Sequence, residues 1–413
     1  MEKDLYNTSR FFKFFITFLL ILSLLFFLGS FYFNENFFLK YSVDKQLEKS
    51  SLSNIGNFQN FLLILSILLL IIIFLLLYVK KRALVFITRH KLFLQNLIIL
   101  LVTLLFFLII GEILARLLLP NETSEIVSGP MALDFYKNYV HLNSDKLRDR
   151  EYPIEKGNNT IRIAGLGDSA AYGFGVKDIN NTVFKILESR LNKEKPANKT
   201  YELINFAKPG YDVEDELNVL KEKALKYSPD IILVIYHLND IENFDPELEK
   251  NHNQWLEIPK IGFILRSISY LYYFFELNTN RLILGLGIRE NFENYLIKVY
   301  NSDINKEANK KYFKELADIS KKKNIAVILT IAPLPYKIKN YPFTKSHDYL
   351  KDIADENNFY YVESLDSYKK YDSSELFVNK HDLHPNELGH KLIADELYKL
   401  FKKEKIIPAK TTL

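Results

Sequence analysis

Ser169 closes the run Gly165-Leu166-Gly167-Asp168-Ser169, directly after the short apolar stretch Ile161-Arg162-Ile163-Ala164, which reads as a strand. A hydroxyl at the carboxyl end of a strand lies at the edge where open parallel sheets bind their ligands. It is not reactive by itself, because attack requires a neighbouring base to take its proton. The chain has no cysteine and eight histidines, so imidazole is the group that can do this near neutral pH. His384 is the most suggestive of the eight. It stands in Lys380-His381-Asp382-Leu383-His384-Pro385-Asn386, in a loop ahead of a final helix for which Asn386 reads as the N-cap. A histidine before a helix also has ordinary structural uses, so other groups must be added before the pair means anything.

Two such groups follow the next two strand candidates. Gly210 comes after Tyr201-Glu202-Leu203-Ile204-Asn205, and Asn239 comes after Ile231-Ile232-Leu233-Val234-Ile235. Acyl transfer builds negative charge on a carbonyl oxygen, and donors aimed at that oxygen lower the barrier. The backbone N–H groups of Ser169 and Gly210 and the side-chain amide of Asn239 are donors of the right type. Each also has a plain explanation, Gly210 as a turn glycine and Asn239 as a helix cap.

Taken in order, these four blocks resemble those of the SGNH/GDSL hydrolases. The resemblance covers about Thr160 to Phe401 and leaves a long insertion unmatched. It implies that Ser169 is a nucleophile, that Ser169, Gly210 and Asn239 line an oxyanion hole, and that His384 is the base. It also implies a three-layer α/β/α, flavodoxin-like domain with a parallel sheet. Two departures stand out. His237 occupies the place of the glycine in the family's Gly-x-Asn-Asp block, and the residue three before His384 is His381 where the family has aspartate. The nearest carboxylate is Asp382, two residues before His384, and residues two apart share a face in extended chain. The third member of the triad is then Asp382 or, failing that, a backbone carbonyl.

The elements that must position these residues read as repeated strand-helix units, the pattern of a parallel sheet. Further strand candidates are Ile325-Ala326-Val327-Ile328-Leu329 and Phe359-Tyr360-Tyr361-Val362, with amphipathic helices over Val213 to Tyr227, Ala308 to Lys322 and Glu387 to Phe401. Residues 120–159 read as a linker and 160–413 as the outer domain, with a helical insertion at about 243–305 that includes Tyr270-Leu271-Tyr272-Tyr273-Phe274-Phe275. That insertion could be a lid, a groove, a lipid-facing surface or a helical subdomain on the core.

Residues 1–119 are of another kind. Hydrophobic residues make up 48% of the chain, yet mean hydropathy is near zero, so the apolar content is concentrated. It lies in three segments, Phe11 to Phe33, Phe61 to Val79 and Leu92 to Leu119, each holding the roughly 20 residues needed to cross a bilayer. No Ala-x-Ala-like cleavage site follows the first, which reads as a retained helix. Lys80, Lys81, Arg82, Arg89 and Lys91 lie between the second and third without an acidic residue. That loop is expected inside, the amino terminus with it, and the outer domain extracytoplasmic. Glu112 and Arg116 are spaced to pair near the outer end of the third helix.

Several classes are disfavoured. The balance of 54 basic and 50 acidic groups, net +4, shows no block able to track a phosphate backbone, so nucleic acid is not an expected partner. Gly165-x-Gly167-x-x-Ala170 fits a dinucleotide fingerprint, but the second strand ends without the acidic residue needed to hold a ribose. His381, Asp382, His384 and His390 cluster in sequence without making a convincing metal set, and no cofactor is expected. The reading reached is a membrane-anchored ester hydrolase whose partners are the bilayer and an acyl ester, with envelope polysaccharide or lipid as the substrate-bearing material. The alternatives are an O-acyltransferase acting on a surface polysaccharide and a catalytically silent binding module.

Overall fold

The computed structural model describes residues 2–34, 49–80, 85, 89–118, 130–193, 199–242, 244–248, 269–286, 291–379, 382–404 and 406. Lys81, Arg82, Leu119, the first ten residues of the expected linker, residues 249–268 of the insertion, and His381 lie outside the described residues. The chain divides into two compact units, one of residues 1–120 with 258–277 and the other of 121–257 with 278–413.

The first unit contains α1 (Glu2–Tyr32), α2 (Lys49–Tyr78) and α3 (Lys91–Leu118). Among the described residues, 9–32, 59–78 and 95–117 of these helices are long and apolar enough to cross a membrane. Helices α1 and α2 pack through Phe12, Ile16, Leu19 and Ile73. Ser23 Oγ lies 3.1 Å from both the carbonyl oxygen and the hydroxyl of Ser66, a polar contact of the kind that joins helices where no water competes. Glu112 pairs with Arg116 at 2.8 Å as its spacing implies. Its carboxylate also accepts from Ser269 Oγ at 2.8 Å and from the N–H groups of Tyr270 and Leu271 at 3.1 and 3.0 Å. Those N–H groups are orphan donors at a helix start, so Glu112 terminates a helix more than 150 residues later in the chain.

The second unit opens with α4 (Pro130–Tyr139), inside the stretch read as a linker. Its sheet, among the described residues, has five strands, β1 (Thr160–Gly167), β2 (Thr200–Asn205), β3 (Ile231–Tyr236), β4 (Ala326–Ile331) and β5 (Tyr360–Val362). They are all parallel, in the order β2-β1-β3-β4-β5. This is the doubly wound, flavodoxin-like order, in which the chain reverses direction between β2 and β3. The intervening helices are α5 (Ser169–Tyr172), α6 (Val183–Lys193), α7 (Val213–Glu222), α8 (Tyr270–Gly285), of which residues 270–277 belong to the first unit, α9 (Phe292–Asn301), α10 (Asp303–Lys323) and α11 (Thr344–Glu356). An antiparallel pair, β6 (Phe377–Asn379) and β7 (Asp382–Pro385), precedes the last helix, α12 (Glu387–Lys403). Helices α6 and α12 pack together, as do α7 and α10 on the other side of the reversal, which makes three layers.

The sheet interior explains the apolar strand runs, since every residue of β3 is buried and a strand covered on both faces has no polar side. The helix expected over Val213 to Tyr227 ends at Glu222, and a tighter turn over Ala224–Tyr227 completes the stretch. The amino-terminal edge of the sheet is pinned by Arg162, which is fully buried. Its Nε and one terminal nitrogen meet Glu202 at 2.8 and 2.7 Å, and the remaining N–H groups reach the carbonyls of Pro153, Ile154 and Tyr227 at 2.7 to 2.9 Å. A buried guanidinium is tolerable because all its donors are used. Arg162→Met leaves those carbonyls without donors, and denaturant unfolding of the full-length protein is expected to show a loss of about 3 kcal/mol.

Candidate active site

Strand β1 delivers Ser169 through two glycines. At Gly165 a β-carbon would come within 2.6 Å of the Phe184 ring of α6, so the bare backbone lets that helix approach. Gly167 has φ +147°, and a β-carbon there would lie 2.6 Å from the Ile235 carbonyl oxygen of β3. The chain then turns sharply. Asp168 Oδ1 accepts the Ala170 N–H at 2.8 Å and so caps α5, with Ser169 as its first residue.

His384 arrives from the other end of the chain on β7, not from a loop as its sequence context suggests. The difference decides the geometry. In an extended strand alternate side chains share a face, and Asp382 Oδ1 lies 2.5 Å from His384 Nδ1 while also accepting the His384 backbone N–H at 3.0 Å. On the far side of the ring, Nε2 is 2.8 Å from Ser169 Oγ, across 215 positions of sequence. Aspartate, histidine and serine form one hydrogen-bonded chain. The carboxylate at Nδ1 calls for a hydrogen there, which leaves Nε2 of the neutral ring bare to accept the serine proton. A second acceptor, Asp168 Oδ2, lies 3.1 Å from the same hydroxyl, but the imidazole contact is the shorter.

Asp382 is fully buried, and its Oδ2 has no hydrogen-bond partner among the described residues. The His384 ring rests 5.0 Å from that of Phe174, which is backed by Phe135 and Tyr136 of α4 at 5.1 and 5.7 Å. Burial favours the neutral imidazole. The charge and hydrogen bond of Asp382, helped by the charge of Asp168, outweigh it and hold the His384 pKa above the ordinary histidine value. His390 goes the other way. Burial, then the charges of Arg148 and His384, push it down to about 3, and its Nδ1 accepts the Val183 N–H at 3.1 Å. It is a neutral bridge between α12 and α6. Among the described residues no group of His, Asp and Glu is placed to hold a metal ion.

The two other blocks follow β2 and β3, the strands on either side of β1. Gly210 has φ +84° and an open side where a β-carbon would meet nothing within 4 Å, so it is glycine for its torsion and not for space. Its turn is tied to β1 by the Lys208 N–H, which donates to the Gly167 carbonyl at 3.2 Å. Beyond β3, Asn239 lies in a turn held by Asp240, whose Oδ2 accepts the His237 N–H at 2.6 Å. Burial, with the charges of Asp168 and Glu216 adding, lifts the Asp240 pKa well above the usual carboxylate range. His237 Nδ1 contacts Asn239 Oδ1 and lies 3.5 Å from Asp168 Oδ2.

Sequence reasoning missed Phe174, Asp240 and above all Arg148. The Arg148 guanidinium is buried and donates to the carbonyls of Gly173 and Val176 at 2.6 Å each, holding the chain that follows Ser169. It sits in the stretch read as a linker, where no periodicity marks it.

No family profile and no curated protein matches the chain. Among solved structures, an acetyl xylan esterase is similar at 15% identity, covering 58% of this chain and 98% of its own, with a TM-score of 0.37. A lipase/acylhydrolase from Enterococcus faecalis has 12% identity, 61% and 100% coverage and a TM-score of 0.37. A member of the lipolytic G-D-S-L family from Veillonella parvula has 15% identity, 59% and 100% coverage and a TM-score of 0.35.

The raised pKa of His384 implies a titration that can be followed directly. In histidine-selective ¹⁵N spectra the ring should titrate above the ordinary value of about 6.5, and in Asp382→Asn below that of the wild type, because burial then acts without the opposing charge. Since the folded pKa is raised, this group adds stability below its unfolded pKa, and the gain is lost as pH rises through the folded one. An unshifted ring in both proteins would contradict the pairing.

Proposed function

We propose that the chain is a membrane-anchored serine ester hydrolase of the SGNH type, with Ser169 as nucleophile, His384 as general base and Asp382 as the residue that orients and charges it. The observation that carries this reading is the unbroken contact from Asp382 Oδ1 through His384 to Ser169 Oγ, at 2.5 and 2.8 Å. Ser169 Oγ attacks the ester carbonyl carbon as its proton passes to His384 Nε2. The oxyanion is met by the N–H groups of Ser169 and Gly210 and by the Asn239 amide, each such donor being worth about 3 to 4 kcal/mol of barrier. Collapse of the intermediate expels the alcohol, which takes its proton from Nε2. Water then attacks the acyl-enzyme with His384 again as base, freeing the acid and Ser169. No cofactor is needed for any of these steps.

The same reading makes the three apolar helices an anchor. The basic residues between the second and third support a cytoplasmic loop and amino terminus, with residues 160–413 outside. An acyl or acetyl ester on an envelope glycan or lipid is then the substrate class within reach. Acyl transfer to a sugar hydroxyl would use the same acyl-enzyme, and an acceptor assay separates the two. A silent binding module would have no use for a charged, aligned triad at the open edge of the sheet.

A fluorophosphonate probe should label Ser169 in the wild type and not in Ser169→Ala. With p-nitrophenyl acetate, Ser169→Ala and His384→Ala are each expected to lower kcat by about 10⁶-fold, the double variant being no worse, because the two act as one unit. Asp382→Asn should cost about 10⁴-fold. Labelling should rise with pH as His384 loses its proton, with a midpoint above the ordinary histidine value. Turnover that survives Ser169→Ala, or product that forms only when an oligosaccharide acceptor is added, would overturn the hydrolase assignment.

A further inference from the structure

His237 stands where the resembling family has glycine, and the mechanism above leaves it without a task. Its surroundings define one. The residue is 8% exposed and its own N–H is held by Asp240 at 2.6 Å, so the ring has little room to swing. Its Nδ1 faces two oxygens, Asn239 Oδ1 in direct contact and Asp168 Oδ2 at 3.5 Å. Its Nε2 is buried without a hydrogen-bond partner among the described residues. A hydrogen on Nε2 would be a buried donor with nothing to bond, and a bare Nδ1 would turn its lone pair on a carboxylate. Both observations put the hydrogen of the neutral ring on Nδ1.

That tautomer settles the direction of the neighbouring carboxamide. An Nδ1–H needs an acceptor, so Asn239 presents Oδ1 to it. Turned the other way, Asn239 would set its NH₂ against another N–H. We infer that His237 is a positioning residue, whose Nδ1–H donated to Asn239 Oδ1 keeps the NH₂ end of that amide available to the oxyanion formed at Ser169. This rests on the hydrolase reading of Ser169, His384 and Asn239, and deepens it. The terminal torsion of an asparagine is broad and nearly two-fold. Asn239 is only partly buried, and the wrong half of its rotation would bring an acceptor towards developing negative charge. The imidazole excludes that half before substrate arrives, which is what preorganisation means for an oxyanion donor. Asp168 then has two tasks. It caps the turn that carries Ser169 and, through His237, it fixes the donor across the site.

The test is a double-mutant cycle with p-nitrophenyl acetate on the full-length protein. Asn239→Ala should lower kcat by about 10²- to 10³-fold, the cost of losing an oxyanion donor. His237→Ala should lower it by about 10-fold with KM within about 2-fold, since the lost interaction serves the transition state. In the Asn239→Ala background the same change should add less than about 2-fold, as expected when one residue acts through the other. His237→Asn places an N–H where Nδ1–H stood and should recover activity to within about 3-fold of wild type. His237→Gln fills similar volume without a donor at that point and is taken through the same cycle, so poor folding of the alanine variant leaves the question answerable. Equal losses in both backgrounds, or no recovery with asparagine, overturn the role of His237. Failure of the wild type to react with a fluorophosphonate at Ser169 overturns the hydrolase reading beneath it.

Discussion

The hydrogen bond between Ser169 Oγ and His384 Nε2, 2.8 Å long, is the contact on which the second unit turns. One partner rides on the turn after β1, an interior strand of the sheet. The other rides on β7, part of a two-stranded pair that lies outside that sheet. Nothing local can bring them together across 215 positions of sequence, so the contact is a product of the tertiary fold. The contact is worth little as a stabilising bond, because a single hydrogen bond nets only about 1 kcal/mol. Its value is positional, and the surrounding structure bears the cost of holding it.

That cost is visible as buried polar groups. Arg148, Asp149, Arg162, Lys185, Glu216, Asp240, Asp382 and His390 are all buried, an unusual density of polar side chains for a core. Each makes at least one hydrogen bond, although Arg148, Glu216, Asp240, Asp382 and His390 each keep one buried side-chain atom without a partner among the described residues. Lys185 meets Asp149 at 2.6 Å, and the Asp149 second oxygen accepts the Asn205 N–H at the end of β2 at 2.8 Å. Arg148 and Arg162 each bind backbone carbonyls that no regular ladder satisfies. Such groups do little for net stability compared with an apolar core, but they fix loops whose backbone would otherwise be free. Arg148, Asp240 and Asp382 do so beside Ser169, His237 and His384, whereas Arg162 works at the opposite, amino-terminal edge of the sheet.

The first unit uses the same economy. Among its described residues the apolar helices expose large hydrophobic side chains along most of their length, as lipid contact requires. Two polar contacts stand out against them, Ser23 with Ser66 and the Glu112 carboxylate. Glu112 neutralises Arg116 and caps the helix that begins at Tyr270. It thus ties part of the long insertion into the first unit, a connection that spacing within α3 does not announce.

How far the sequence determined this protein can be judged residue by residue. Apolar runs of the right length and period yield all five strands of the parallel sheet, four to within two residues and β1 short of its last three, Gly165 to Gly167, and three segments long enough to span a bilayer, because burial on both faces and bilayer-spanning length each leave a one-dimensional signature. Ser169, Gly210 and Asn239 drew attention because strand ends are where a parallel sheet exposes functional groups, and His384 because it precedes the last helix; that Ser169 and His384 meet was visible only in the fold. The partnership of Asp382 was left open, since it depends on whether residues 382–385 are looped or extended, and only pairing with β6 makes them extended. Arg148 and His237 were beyond reach for a related reason. A buried cation or an orienting imidazole takes its meaning from carbonyls and carboxylates brought near it by chain folding, and those neighbours have no fixed offset in sequence.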